Sequence, residues 1–339
     1  MKINLLLKNN LFINFTVLFF IITVFLNHIH NSTDKYKKVE ENGENYIKVS
    51  SLDLKKDFSK QLISDETYYH ILDRNCKITG DLHDRHKVRW LKALFLKDIF
   101  NTFHQLGEKF PYYINIFLHS FLLFFSYLLL NKTFSLDKKY NLIFLLFITF
   151  IFQQYLSEYS YSIFETFFLS LCLYASKNKK VLIFLTSCLL AVLNRESGFL
   201  IILSWLIFNQ KDFKKVFLFY GIAIITFILV NLDIIDCLLN PKFFIPLESQ
   251  KGQVNWSDLD NINLLSIGKL IFTNFLLPFG IGFYFLIQTK LKNLILILLF
   301  LIYLLVFVFA TPLHHMAVRL TILPLIFTAI YFYKLEKIK

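Results

Sequence analysis

Adjacent carboxylates at Asp65 and Glu66 open the run Asp65-Glu66-Thr67-Tyr68-Tyr69-His70. Such a pair can supply a general base together with an electrostatic or metal-holding partner. The other polar groups with chemical reach are Arg85, Arg89, Arg195-Glu196, His314-His315 and Arg319. A planar guanidinium can hold two oxygens of a phosphate at once. Paired histidines can bind a metal ion or a phosphate. Each group also has a plainer use. An acidic pair suits a solvated loop, and arginines near a membrane snorkel to its surface. Glu196 can pair with an arginine and keep its surroundings neutral. His314 and His315 can be wetted surface at a helix entrance.

What must position these residues is a set of apolar spans. Hydrophobic residues make up 56% of the 339, with 41 phenylalanines and only 18% charged residues; mean hydropathy is +0.54. About ten spans can be read, at 11–27, 113–131, 141–156, 160–176, 181–193, 198–209, 216–232, 266–287, 294–310 and 320–333, where about 20 residues are needed to cross hydrocarbon. The fold class is an all-α polytopic integral membrane protein. Lysines crowd every second loop: Lys132, Lys138 and Lys139; Lys177, Lys179 and Lys180; Lys211, Lys214 and Lys215; Lys290 and Lys292. Lys334, Lys337 and Lys339 close the tail. Basic residues in short loops mark the cytoplasmic side. Both termini are therefore expected inside, and the acidic pair, the arginines and the histidines outside. The net charge of +12 is scattered over flanks, which suits anionic membrane lipid and not nucleic acid.

Spans 181–193 and 198–209 are too short to cross alone. Fused, they would bury Arg195 and Glu196 at about 2.5–3.5 kcal/mol per charge and put two lysine loops on opposite sides. A short helical hairpin is expected instead, its tip below the outer surface. Irregular backbone at that depth needs protein or a water-filled cavity beside it. Gln153, Gln154, Glu158 and Glu165 fall at the outer end of their spans, to hydrogen-bond a sugar or to satisfy one another between helices.

The chain divides into 1–27, an N-terminal end and anchor helix; 28–112, an outer loop; and 113–339, a multi-helix membrane domain. The first span is long for a secretion signal and no small-residue cleavage site follows it. Asn31–Lys60 is polar and lysine-rich, a flexible excursion. Val88–Phe110 places Val88, Leu91, Phe95, Thr102 and Phe103 on one stripe, as in a helix lying flat in the interface. Asp233–Leu265, with Pro241, Pro246 and Trp256, reads as a loop. Cys76 and Cys237 both fall in outer loops, where a disulfide can form; Cys172 and Cys188 sit in apolar spans as small hydrophobes.

The Asp65-Glu66-x-x-Tyr69 element resembles one in the first outer loop of GT-C membrane glycosyltransferases, of the protein mannosyltransferase and aminoarabinose transferase type. His83–Leu94 is similar to that family's basic segment leading into an interfacial helix, without its usual proline pair. Asn194-Arg195-Glu196-Ser197-Gly198 lies where bacterial members carry a polar motif between two short helices. His314-His315-x-x-x-Arg319 before Pro324 is similar to a His/Arg element preceding the last helix of some members. The resemblance implies transfer of a sugar from a polyprenyl-phosphate carrier to an acceptor outside the cytoplasm, with Asp65 catalytic. It implies that Glu66 orients the site or holds a divalent metal ion. Tyr69, Arg85, Arg89, Arg195, Glu196, His314, His315 and Arg319 would line the donor site, in a bacterial inner membrane. A polysaccharide polymerase or ligase, a lipid or solute transporter, and a non-catalytic assembly protein are the alternatives.

Overall fold

The computed structural model describes residues 14–24, 37–41, 44–49, 52–55, 110–135, 160–239, 277–289, 293–310 and 317–338. The helices follow the apolar spans closely. They are α1 Asn14–Val24, α2 Phe110–Phe134, α3 Ser160–Lys177, α4 Val181–Asn194, α5 Gly198–Ile202 and α6 Trp205–Phe208. Next come α7 Phe213–Val230, a 3-10 turn Leu232–Ile234 and α8 Ile235–Leu238. The chain closes with α9 Leu277–Gln288, α10 Leu294–Ala310 and α11 Ala317–Ile338. Among the described residues, Phe117–Phe134 and Phe213–Val230 are long and apolar enough to cross a membrane. Each has 18 residues, or about 27 Å at 1.5 Å per residue, against hydrocarbon about 30 Å thick. The expected span 141–156 and the interfacial helix up to Phe110 lie outside the described residues. So does Cys76, and with it any disulfide to Cys237.

Among the described residues, one departure from an all-α chain occurs. Lys37–Glu41, Glu44–Val49 and Leu52–Lys55 form a three-stranded antiparallel meander, where a polar excursion was expected. Glu41 opposes Glu44 and Val49 opposes Leu52, so two residues separate each pair of strands. Asn42-Gly43 stands in the first gap, the dipeptide best suited to a two-residue hairpin loop. That local turn signal outweighs the low hydropathy of the segment.

Helix α3 is the hub: α2, α4, α6 and α11 all pack on it. Leu169, Cys172 and Leu173 of α3 are buried, as are Leu123 and Leu130 of α2 and Leu325 and Ile330 of α11. Phe184, Trp205 and Phe219 tie α4, α6 and α7 together, with ring centroids 4.9, 5.2 and 5.5 Å apart; tilted and edge contacts of this kind add to the area they bury. Several buried hydroxyls are satisfied within their own helices, as in Ser126 donating to the Leu122 carbonyl and Ser187 to that of Ile183. Helix α7 instead leaves Phe217, Leu218, Ile225 and Leu229 exposed, an apolar face that water solvates poorly.

The turn from α3 into α4 is tight. Lys179 has φ 54, its N–H donates to the Ser176 carbonyl, and the Lys180 N–H donates to that of Ala175. These two bonds make a Schellman cap, whose left-handed residue is usually glycine. Lys179→Gly should therefore raise stability by about 1 kcal/mol, read as an upward shift in thermal unfolding of the purified protein.

Asn209, just past α6, donates from Nδ2 to the Ser176 carbonyl at 3.0 Å and to Ser176 Oγ at 3.1 Å. Ser176 Oγ in turn donates to the Trp205 carbonyl at 3.0 Å. The end of α6 thus returns to the end of α3, so α4–α6 form a hairpin. Lys177–Lys180 and Gln210–Lys215 share one end of the bundle, as the lysine pattern requires. Lys132 at the end of α2 and Tyr331 near the end of α11 meet the same group.

Candidate functional site

The opposite end of α3 carries Glu165, whose side chain is only 1% exposed. A carboxylate taken out of water needs donors or an opposite charge to remain there. Both arrive from the hairpin tip. Arg195 Nη1 lies 3.4 Å from Glu165 Oε2, and Ser197 Oγ donates to Oε1. The Arg195 side chain is 14% exposed, so the pair is largely withdrawn from solvent.

Local backbone explains how the tip reaches α3. Helix α4 stops at Asn194, and Arg195 follows as an extended cap with its N–H on the Ala191 carbonyl at 2.9 Å. The Gly198 N–H then donates to the Arg195 carbonyl at 2.8 Å, closing a turn across Arg195–Gly198. Gly198 packs directly on α4: a Cβ there would stand 2.3 Å from the Ala191 carbonyl carbon and 2.4 Å from the Val192 nitrogen. No side chain fits at those distances without backbone movement. Gly198→Ala should destabilise by about 1–3 kcal/mol and disturb the Arg195–Glu165 contact, measured by thermal unfolding beside the wild type.

The return limb is broken between α5 and α6. The Leu203 N–H turns to the Leu200 carbonyl at 3.2 Å, the tighter 3-10 geometry. The Phe199 carbonyl accepts instead from Tyr220 Oη of α7 at 2.8 Å. This bond holds α5, and with it the tip, against α7.

Glu165 and Ser176 are eleven positions apart on one helix, so the cluster lies about 16 Å along the axis from the Asn209–Ser176 bonds. At the lysine end, Lys215 pairs with Asp212 at 2.9 Å. The Lys215 ammonium holds the Asp212 carboxyl below the usual carboxylate range.

Of the residues singled out in the sequence, Arg195 and Glu196 stand at the tip, where Glu196 is half-buried. The carboxylate facing Arg195 is that of Glu165, thirty positions earlier. Arg319 lies in the first turn of α11; its side chain is not among those described. Asp65, Glu66, Tyr69, Arg85, Arg89, His314 and His315 fall outside the described residues, as do Gln153, Gln154 and Glu158. No group of three or more His, Cys, Asp or Glu suited to a metal ion occurs among the described residues. Ser197 had no signal of its own beyond adjacency to the charged tip. Comparison with family models, curated proteins and solved structures gives no match to this chain.

Proposed function

We propose that this chain is a polytopic membrane glycosyltransferase that moves a sugar from a polyprenyl-phosphate carrier to an extracytoplasmic acceptor. The observation that carries the reading is the hairpin tip. It brings a guanidinium to a buried carboxylate at the end of the bundle away from the lysines. Helix α4 has 14 residues, about 21 Å long, and so falls short of hydrocarbon about 30 Å thick. With the lysine end at the cytoplasmic surface, Arg195 stands below the outer surface in a low dielectric. A buried charge pair there is costly, and ionisable groups at such depth mark binding and transport paths.

The chemistry divides among the residues as follows. Asp65 takes the proton of the acceptor hydroxyl, whose oxygen attacks the anomeric carbon as the bond to phosphate breaks. Negative charge grows on the departing phosphate, and Arg195, with Arg85, Arg89 and Arg319, stabilises it. Glu66 orients the site or holds a divalent ion. Tyr69, Glu196, His314 and His315 complete the donor pocket. The carrier's isoprenoid chain lies against the apolar helices, which is why the reaction belongs in a bilayer. About ten spans, with both termini cytoplasmic in a bacterial inner membrane, are part of the same proposal.

Sidedness gives the first test. In a background with Cys76 and Cys237 replaced by serine, Glu196→Cys should react with a membrane-impermeant maleimide added to intact cells. Lys179→Cys should react only after the membrane is opened. Labelling of Lys179→Cys from outside would invert the topology and remove the proposed site.

A further inference from the structure

We propose that the lysine end of the bundle holds a binding site for the phosphate headgroup of an anionic phospholipid, formed by Lys132 and Lys180 at Tyr174, with Lys177 of the same helix end beside Tyr331. This site is separate from the one at the hairpin tip and does not depend on the transfer reading. Three helix ends supply it: the last turns of α2 and α3 and the residue that precedes α4. Lys132 Nζ and Lys180 Nζ lie 5.4 and 5.5 Å from the centroid of the Tyr174 ring. One ring thus gathers two ammonium groups from different helices. Lys177 Nζ donates to the Thr133 carbonyl and sits 4.7 Å from the Tyr331 ring centroid.

Like charges gathered at one side chain repel, and the tyrosine offsets only part of that cost. Lys215 shows the ordinary remedy, a carboxylate at 2.9 Å from Asp212. Among the described residues no carboxylate forms an ion pair with Lys132, Lys177 or Lys180. Lys132 and Lys180 are exposed and Lys177 is half-buried. An anion would offset that repulsion, and phosphate suits the two point charges that reach Tyr174 from different parts of the chain.

The surroundings select a lipid over a free ion. Immediately after Lys180, Val181, Leu182 and Ile183 are all exposed, Leu182 at 74%. Leu190 is exposed on the same helix at 40%, seven positions after Ile183 and so on the same face. A headgroup at the lysines continues into acyl chains lying along this apolar stripe. Lysines near an anionic leaflet attract its lipids in general; here the aromatic rings fix them in one constellation.

The test uses the full-length chain purified in neutral detergent, titrated separately with phosphatidylglycerol, phosphatidylcholine and inorganic phosphate. Retained lipid is read by native mass spectrometry and thermal unfolding is followed in parallel. Phosphatidylglycerol should bind and raise the unfolding temperature, and phosphatidylcholine should do neither. Lys132→Gln/Lys180→Gln changes two exposed residues and should weaken phosphatidylglycerol binding about tenfold or more. The charge-matched Lys211→Gln/Lys214→Gln should leave it within about twofold. Equal losses in the two double variants would show diffuse charge attraction and overturn the site. Equal stabilisation by inorganic phosphate, with the same dependence on Lys132 and Lys180, would overturn the lipid assignment.

Discussion

Asp65→Asn is expected to lower sugar transfer by about 10²–10⁴-fold, the usual contribution of a general base. The substitution keeps size and hydrogen-bonding capacity and removes only the basic oxygen. Expression, membrane insertion and thermal unfolding should therefore match the wild type, and donor binding should change little. The measurement is transfer of a labelled sugar from a polyprenyl-phosphate donor by the protein in proteoliposomes. A well-expressed Asp65→Asn protein with near-normal turnover would remove Asp65 from catalysis. The polymerase or transporter readings would then be favoured, since they lean on the arginines or on no chemistry at all.

The second large effect concerns Arg195 and Glu165. Removing one member of a buried ion pair leaves a charge without compensation and costs about 3–5 kcal/mol. Arg195→Ala and Glu165→Ala should each be strongly destabilising, read by unfolding in detergent. Arg195→Met/Glu165→Met, which removes both charges and keeps the volume, should recover most of that loss. The recovered double variant then separates the two uses of Arg195. If the guanidinium holds the donor phosphate, transfer stays lost although stability has returned. Arg195→Lys adds a milder arm: it keeps the charge, loses the two-pronged contact and should weaken donor binding. Transfer that returns along with stability in the double variant would make Arg195 a structural clamp only.

Helix limits were largely legible in the sequence because sharp changes of polarity bound each apolar run. The expected 181–193 became Val181–Asn194, and 294–310 became Leu294–Ala310 without change. The hairpin followed from one energetic comparison, two charges at mid-membrane against a short re-entrant turn. The Asn209–Ser176 bonds bring its two lysine loops together. The break at Leu203 was not legible, because it depends on Tyr220 of another helix taking the Phe199 carbonyl. Lysine content hides the meander at 37–55; its one local signal is the Asn42-Gly43 turn dipeptide.

The candidate site divides along the same line. Arg195 stood out because a charge between apolar runs is locally conspicuous. Glu165 stood out too, as a polar group at the outer end of its span, but its pairing with Arg195 did not, since the two are thirty positions apart and local periodicity is silent on which helices pack. Gly198 shows the same limit: its need for a bare Cα arises from the facing backbone of α4. Lys132 and Lys180 look in sequence like two flanking charges among many; only the folded chain places both on Tyr174.

The most direct test of the proposed transfer site is a density map of the protein in a lipid nanodisc with a non-hydrolysable polyprenyl-phosphate sugar. The donor phosphate should lie within hydrogen-bond distance of the Arg195 guanidinium, about 2.7–2.9 Å, with the isoprenoid chain running down the helices toward the lysine end. A donor whose phosphate sits at the lysine end, or anywhere beyond reach of Arg195, would contradict the account.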